Sequence, residues 1–213
     1  MRIVKDAEER KNEILDAAEE LFISKGFDNA STNDILQKVG IARGTLYYHF
    51  KSKEDIMDAL LDRYVQLMLI QAQQIADDKS IPTYERLTRA ILALNLRPIG
   101  GGKEIIEHIH KPQNALMHQK TLKVVIKEVT PILTKIIEDG IEEGVFHTPY
   151  PYECTEMGIT YANVIFDSDL VHLMEEEQVR RVQAFAFNLE RLFGAENLYE
   201  YVMRMFGDGE EYE

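Results

Sequence analysis

Apolar residues recur at helical spacing in the first sixty positions of the chain. The first set falls at positions i, i+3, i+4, i+7 and i+8, on one face of a helix, and comprises Ile14, Ala17, Ala18, Leu21 and Phe22. Lys25-Gly26 then supplies a stop signal. Ser31 and Asp34, three positions apart, match a capping box. They predict a short helix with three inward residues, Ile35, Leu36 and Val39.

A second short helix and a long one are predicted after Gly40. This glycine interrupts the pattern in the way that a left-handed residue ends a helix. Leu46 and Phe50, four positions apart, give the next segment one apolar side. Residues 52–55 read Ser-Lys-Glu-Asp and match another capping box. It opens a long helix with one apolar side, formed by Ile56, Ala59, Leu60, Tyr64, Leu67 and Met68.

The rest of the chain also has a helical pattern, and no alternating apolar and polar run is long enough to predict a strand. Pro112 and Pro131 are expected to break or kink their segments. A loop at 97–102 contains three consecutive glycines, and an acidic tail covers 207–213. The fold class is therefore predicted to be all-α, with later helices near 82–96, 103–115, 118–143, 151–168, 175–193 and 195–206.

The charge of the chain is unevenly distributed. The net charge is −13, yet residues 1–53 hold nine basic and nine acidic side chains, so the excess acidity lies in residues 54–213. Residues 25–53 contain five basic and two acidic side chains. Because the local field decides whether phosphate can approach, the total charge does not exclude nucleic acid as a partner.

Composition argues against several other classes of protein. Cys154 is the only cysteine, which excludes an internal disulfide, favours a reducing cytoplasm and predicts a buried small hydrophobe. No apolar run is long enough to span a bilayer, and we expect no secretory signal in the charged first residues. No Cys/His spacing matches a zinc site, so neither a metal nor a cofactor is expected.

Residues 31–50 have the layout of a helix-turn-helix, in which the second helix enters the major groove of DNA. Beside Gly44, the outward side of that second helix carries hydrogen-bonding and aromatic residues instead of the usual Glu and Lys, namely Arg43, Thr45, Tyr47, Tyr48 and His49. Gly44 costs about 1 kcal/mol relative to alanine in a helix interior. Close approach of the backbone to DNA would explain its presence.

The string from Gly40 to Glu54, GIARGTLYYHFKSKE, is similar to the signature of the TetR family, the tetracycline-repressor-like regulators. Residues 10–60 resemble that family's DNA-binding domain, and the flanking Ala17, Phe22, Gly26-Phe27 and Asp34-Ile35 agree with it. The resemblance implies an all-α homodimeric transcription factor. Residues 1–53 would be a three-helix DNA-binding domain, and residues 54–206 a larger helical domain that binds ligand and dimerises.

The recognition helix offers specific contacts to DNA. Arg43 can take the O6/N7 edge of a guanine, or it can contact phosphate instead. Thr45, Tyr47 and His49 offer groups for phosphate or base edges, and the family positions that match Tyr47 and His49 commonly contact the DNA backbone. Tyr48 can pack against a thymine methyl. The alternative for the tyrosines is partial burial against the first helix.

Two further groups of residues are candidates for phosphate contacts. Ser31, Thr32 and Asn33 lie at the positive end of the preceding helix, where backbone amides suit a phosphate. Asn33 departs from the basic residue often found at that place in the family. Lys53 resembles the family's phosphate-anchoring lysine. Such contacts fix the register on DNA without reading its sequence.

The resemblance also implies how the larger part acts. An effector entering a cavity among the middle helices would displace the long helix that begins near residue 53. This would change the distance between the two recognition helices of the dimer. That distance must be roughly 34–36 Å for a dimer that reads adjacent half-sites. The helices near 151–168 and 175–193 would form the dimer interface, although the same apolar stripes could instead be core. The interface candidates are Ile159, Ala162, Ile165, Phe166, Val182, Phe185 and Leu189.

The effector pocket is predicted only from large apolar or amphipathic residues on the middle helices, for which burial in the core is the alternative. The candidates are Tyr64, Met68, Tyr84, Leu87, His108, Met117, Val125 and Tyr161. His108 and His110 are two positions apart and so point to different sides of a helix, which argues against a metal site.

Two other classes of function are alternatives to a transcription factor. An enzyme is not expected, because the chain has no nucleophile–base pattern, no glycine-rich cofactor loop after a strand and no metal-ligand cluster. A helical protein–protein interaction module without DNA binding would explain the helices and the acidity. It would not explain the composition of residues 43–49.

Overall fold

The computed structural model describes residues 6–94, 120, 122–166, 171 and 173–207. Regular structure in this part of the chain is entirely helical, which confirms the all-α prediction. Its nine α-helices are α1 (Ala7–Lys25), α2 (Thr32–Val39), α3 (Arg43–His49), α4 (Lys53–Asp77), α5 (Thr83–Ala93), α6 (Thr130–Glu142), α7 (Pro151–Ile165), α8 (Glu175–Phe193) and α9 (Leu198–Gly207). Among these, no helix is both long enough and apolar enough to cross a membrane.

The described residues form two compact units, each with its own apolar core. The first unit extends to Met68, and the second holds residues 69–94 together with the described residues from 120 onward. The first unit continues past the domain boundary expected at residue 53, because Ile56 and Leu60 of α4 complete its core.

The first unit is built around the apolar face of α1. All five α1 residues singled out by their spacing are buried, and the helix ends where Gly26 adopts a positive φ of 78°. At the start of α4, the Ser52 Oγ accepts a hydrogen bond from the Asp55 N–H at 3.1 Å. The core cluster comprises Ile14, Leu15, Ala18, Leu21, Phe22, Ala30, Ile35, Leu46, Phe50, Ile56, Met57, Leu60, Leu61 and Tyr64.

Charged groups connect α1 to α4 at the edge of this core. Arg63 donates from Nη1 to Asp16 at 2.6 Å and from Nη2 to Glu19 at 2.5 Å. The hydroxyl of Tyr64, on the next position of α4, also donates to Glu19. The ion pairs and the apolar contacts therefore hold the same two helices together.

In the second unit α6 packs against α5 and α7, and α8 packs against α7 and α9. One cluster uses small residues that let helices approach closely, and it contains Ala72, Ala76, Ala90, Val129, Ile132, Leu133 and Ile136. The other cluster gathers larger side chains from several helices, and it contains Ile137, Phe146, Cys154, Ala186, Phe193, Ala195, Leu198 and Val202.

A π-helix at Val125–Val129 leads directly into α6. Pro131 stands in the first turn of α6, where it lacks an N–H and its ring would clash with the carbonyl four residues earlier. A wider turn before the proline relieves that clash. The expected disturbance at Pro131 therefore takes the form of a change in helix type.

A buried ion pair joins α5 to α6. Arg86 is 0% exposed, and its Nη1 donates to Asp139 Oδ2 at 2.9 Å and to the Ala76 carbonyl at 3.4 Å. Lys79 lies 2.7 Å from the other carboxylate oxygen. Burial raises the pKa of Asp139, but the hydrogen bond from Lys79 and the charge of Arg86 outweigh this effect and hold the pKa below its ordinary value.

We expect Asp139→Ala to lower the free energy of unfolding by about 3 kcal/mol, because it removes the nearer carboxylate of the buried Arg86 and leaves only Glu143, 3.9 Å from its Nη2. Lys79→Ala is the matched control, since it removes the exposed partner of the same carboxylate and should cost about 1 kcal/mol or less. Urea titration of both variants measures the difference. Equally small losses would show that Arg86 does not depend on Asp139.

Candidate nucleic-acid interface

The N-terminus of α2 is fixed by the predicted capping box. The Ser31 Oγ accepts from the Asp34 N–H at 3.2 Å, and the Asp34 carboxylate accepts from the Ser31 N–H at 2.8 Å. Lys25 Nζ lies 2.8 Å from the same carboxylate. The hydrogen bonds from Lys25 and Ser31 hold the pKa of Asp34 well below its usual range. The first turn of α2, which contains Thr32 and Asn33, is therefore anchored at its start.

Gly40 makes the turn between α2 and α3. Its φ of 71° and ψ of 37° are left-handed, a conformation that glycine adopts without steric cost. The Gly40 and Ile41 N–H groups both donate to the Leu36 carbonyl, at 2.9 and 3.2 Å. The turn consequently satisfies a helix-terminal carbonyl while it redirects the chain into α3.

The helix α3 has one buried side and one exposed side. Leu46 and Phe50 are buried in the first unit, as their spacing predicted. Arg43, Gly44 and Tyr47 are exposed, and Tyr48 is 79% exposed. Tyr48 is thus not packed against α1, which was the alternative for the tyrosines.

Tyr47 links the two helices of the motif. Hydrogen bonds with Arg43 first, and with Thr32 second, lower the pKa of its phenol. The Arg43 guanidinium also lies 5.6 Å from the centre of the Tyr47 ring. A residue at the start of α2, one in the middle of α3 and the arginine that begins α3 therefore form one connected group.

The remaining polar residues of α3 are partly buried. Thr45 and His49 are both intermediate in exposure. The His49 ring lies edge-on to Tyr48, with ring centres 5.0 Å apart, and 6.4 Å from Phe50. These contacts restrict the directions that the imidazole can take.

The basic residues of this segment have different environments. Lys25 pairs with Asp34, and Lys38 lies 2.5 Å from Glu20. Lys53 points its ammonium at backbone carbonyls of the α1–α2 turn, with Nζ 2.6 Å from the Phe27 oxygen. Arg43 and Lys51 are exposed, so an approaching phosphate can reach their charged groups.

Two family models match this chain on either side of residue 60. The model for bacterial regulatory proteins of the tetR family matches residues 14–60, and the model for the tetracyclin repressor-like C-terminal domain matches residues 99–188. The chain belongs to the TetR family. Proteins of this family are transcriptional regulators, so the chain is a DNA-binding transcriptional regulator and not an enzyme or a DNA-independent interaction module.

Known relatives of this TetR-family chain are also regulators. The HTH-type transcriptional repressor KstR2 of Mycolicibacterium smegmatis is 29% identical over 64% of this chain and 67% of its own length. An HTH-type transcriptional regulator of Staphylococcus aureus strain USA300 is 39% identical, but the match spans only 35% of this chain and 40% of that relative. The solved structure of RolR without ligand has a similar fold, with a TM-score of 0.58 at 17% identity over 91% of this chain and 96% of that one.

The residues predicted to line an effector pocket have different environments within their own units. Tyr64 is buried in the core of the first unit, which is the alternative given for these candidates. Met68 is also buried and ends the first unit. Tyr84 packs into the second unit, where its hydroxyl donates to the Glu196 carbonyl at 2.5 Å and its ring stacks on Tyr201.

The other pocket candidates have different positions. Leu87 packs against both clusters of the second unit, and Val125 begins the π-helix. Tyr161 is exposed and its ring stacks on Phe185, so it is a surface residue of this chain. His108 and Met117 lie outside the described residues.

The residues predicted for the dimer interface are largely internal. Val182 is buried in the second unit, and Phe185 and Leu189 pack against the cluster that contains Phe146. Ile159 packs against the cluster that contains Leu133. Ile159, Phe185 and Leu189 are only partly buried, and the place of all four residues in a dimer interface stays a prediction. The remaining three candidates are half-buried, namely Ala162, Ile165 and Phe166.

The exposed apolar side chains on α7 and α8 are different residues from most of those predicted. Met157 is 58% exposed on α7, and on α8 Val179 is 50% and Phe187 is 49% exposed. Helical spacing identified both helices as apolar but did not separate the side that packs internally from the side that stays open.

Gly44→Ala separates a structural role of this glycine from a role in DNA approach. An added Cβ meets no atom within 4 Å, so alanine should be tolerated and should stabilise the protein by up to about 1 kcal/mol. We expect the variant to melt no lower than wild type and to bind DNA at least tenfold more weakly, measured by fluorescence anisotropy. Undiminished binding would remove Gly44 from the DNA-facing surface.

Proposed function

We propose that this chain is a ligand-responsive repressor that binds a pseudo-palindromic operator as a homodimer, in the cytoplasm where that DNA is found. The observation that carries the proposal is the exposed side of α3. Arg43, Tyr47 and Tyr48 face outward there, while Leu46 and Phe50 hold the opposite side in the core. Packing does not require these outward residues, but reading a major groove does.

The contacts to DNA divide into those that position the protein and those that read bases. The first turn of α2, with Ser31, Thr32 and Asn33, presents backbone amides at a helix N-terminus and suits a phosphate. Thr45 and His49 lie on α3 and are partly exposed. These groups would set the register of α3 on the duplex.

The bases would be read by exposed side chains of α3. Arg43 begins α3, and its guanidinium matches the two acceptors on the major-groove edge of guanine. Its contact with Tyr47 orders that guanidinium before DNA arrives. Tyr48 offers an aromatic surface for a thymine methyl.

A homodimer follows from the requirement to read two half-sites at once, one turn of the double helix apart. Exposed apolar side chains on α7 and α8 support those helices as the contact between two copies. Met157, Val179 and Phe187 are the most exposed of these side chains, and apolar side chains of this size on a surface favour association.

The effector is proposed to bind in the second unit. Four buried polar atoms in the described part of this unit have no hydrogen-bond partner, namely Arg86 Nε and Nη2 and the hydroxyl oxygens of Thr130 and Thr134. Buried polar groups without partners are rare in folded proteins. Thr130 directly follows the π-helix that begins at Val125, and Leu87 is the neighbour of Arg86 on α5. Buried polar atoms next to an irregular helix favour an effector with polar groups of its own.

A titration of DNA from the region upstream of the chain's own gene tests the whole proposal. Gel shift and anisotropy at several salt concentrations should show one dimer bound to a pseudo-palindromic site, with an affinity that falls as salt rises. Indifference to that DNA, or equal affinity for it and for random sequence, would refute operator binding.

Arg43→Ala should weaken binding to the preferred operator by about 1–3 kcal/mol and relax specificity at one base position of each half-site. Random DNA should lose less, because a base contact contributes nothing there. Competition anisotropy with single-base operator variants measures both effects. An equal loss on operator and random DNA would identify Arg43 as a phosphate contact.

Phe187→Asp should convert the dimer into a monomer, because it replaces an exposed apolar side chain of α8 with a charge that association would bury. Leu92→Asp is the control, since Leu92 is an exposed apolar residue on α5 and lies on neither proposed interface helix. Sedimentation of both variants gives the result. A dimeric Phe187→Asp variant would place the interface elsewhere.

A further inference from the structure

The ammonium of Lys53, the first residue of α4, donates hydrogen bonds to backbone carbonyls of the same chain. Its Nζ donates to the Phe27 carbonyl at 2.6 Å and to the Ala30 carbonyl at 2.9 Å, and the Asp28 carbonyl lies at 3.4 Å. An ammonium has three N–H donors. The three carbonyls of the α1–α2 turn therefore match its full donor capacity.

An aromatic contact adds to this arrangement. The Lys53 ammonium lies 4.2 Å from the centre of the Phe27 ring, within the range of a cation–π interaction. The Phe27 ring in turn packs edge-on against Phe22 of the core, with ring centres 5.1 Å apart. Because a cation at a helix N-terminus is disfavoured by the helix dipole, the carbonyls and the ring are what stabilise the charge at this position.

The turn that Lys53 holds leads directly into the DNA-facing residues. Ala30, which accepts one of the hydrogen bonds, is followed by Ser31, the N-cap of α2. Thr32 comes next at the start of α2. Arg43 and Thr32 both lower the pKa of the Tyr47 phenol, and the Arg43 guanidinium lies 5.6 Å from the centre of the Tyr47 ring. A continuous set of contacts thus runs from the start of α4 to the arginine of α3.

We propose that Lys53 is a positioning residue, which fixes the α1–α2 turn against α4 and thereby the start of α2 and the Tyr47–Arg43 pair, and that it does not act by contacting a phosphate. This differs from the role that its place in the family signature suggested. The inference rests on the operator binding put forward under the proposed function, since its effect on specificity needs an operator to measure it.

Lys53→Met keeps an unbranched side chain of similar length and removes the three donors. We expect operator affinity to fall about tenfold, because two partly buried carbonyls lose their partner and the reading residues lose their alignment. Random DNA should lose clearly less, and the slope of log affinity against log salt should stay as in wild type. The fraction of active protein should also be unchanged.

The other outcomes are distinct. A salt slope smaller by about 0.9, with equal losses on operator and random DNA, would make Lys53 a phosphate contact and overturn the inference. Unchanged affinity would overturn it too. A lower active fraction with unaltered affinity would reduce Lys53 to a purely structural residue and would equally overturn it.

Lys53→Arg provides a second, conservative comparison. A planar guanidinium does not fit three carbonyls that converge on one point, whereas it binds phosphate at least as well as an ammonium does. The positioning role therefore predicts that arginine fails to restore operator affinity. Full affinity in Lys53→Arg would contradict the proposal.

Hydrogen exchange of the full-length protein without DNA tests the contact independently of the proposed function. Amides of residues 27–32 should exchange faster in Lys53→Met than in wild type. Lys51→Met is the matched control, because it removes an equal charge from an exposed position two residues away. If the wild type binds no operator but the exchange difference appears, operator binding fails while the anchoring of the turn stands. Identical exchange in Lys53→Met and Lys51→Met would show that Lys53 does not anchor the α1–α2 turn.

Discussion

The DNA-facing surface depends on the burial of two side chains, Leu46 and Phe50. A helix of seven residues is not stable by itself in water, because the cost of forming its first turn is not recovered over so short a length. These two residues place one side of α3 in the core formed with α1 and α4. The opposite side then has no part in holding the fold, which leaves Arg43, Tyr47 and Tyr48 available for contact with DNA.

Charged side chains around this core mostly satisfy backbone groups and each other. Asp34 accepts from the Ser31 N–H, Asp55 accepts from the Lys51 N–H, and Lys53 donates to carbonyls of the α1–α2 turn. The net charge of −13 is therefore a poor guide to function. Exposed charges farther away than about 10 Å are largely screened at ordinary salt, so the groups next to α3 decide whether a phosphate can approach.

The first unit was predictable from sequence because its signals are local. The capping box at Ser31, the left-handed Gly40 and the four-residue spacing of Leu46 and Phe50 each act within one or two turns of helix, and each appears in the structure. The environment of Lys53 was not predictable in this way. Its carbonyl partners lie 23 to 26 positions earlier in the chain, and only the folded turn brings them together.

The same distinction explains why the second unit was harder to interpret. Periodicity shows that a helix has an apolar face but not which partner covers it. Val182 resembled an interface residue, although it is buried within the chain itself. In the sequence, Arg86 resembles an ordinary polar residue of an amphipathic helix. Its burial follows from Asp139, 53 positions later, which no local pattern identifies. Since natural sequences depart from well-satisfied packing mainly at functional sites, the unpaired N–H groups of Arg86 and the hydroxyls of Thr130 and Thr134 direct the search for the effector to α5 and α6.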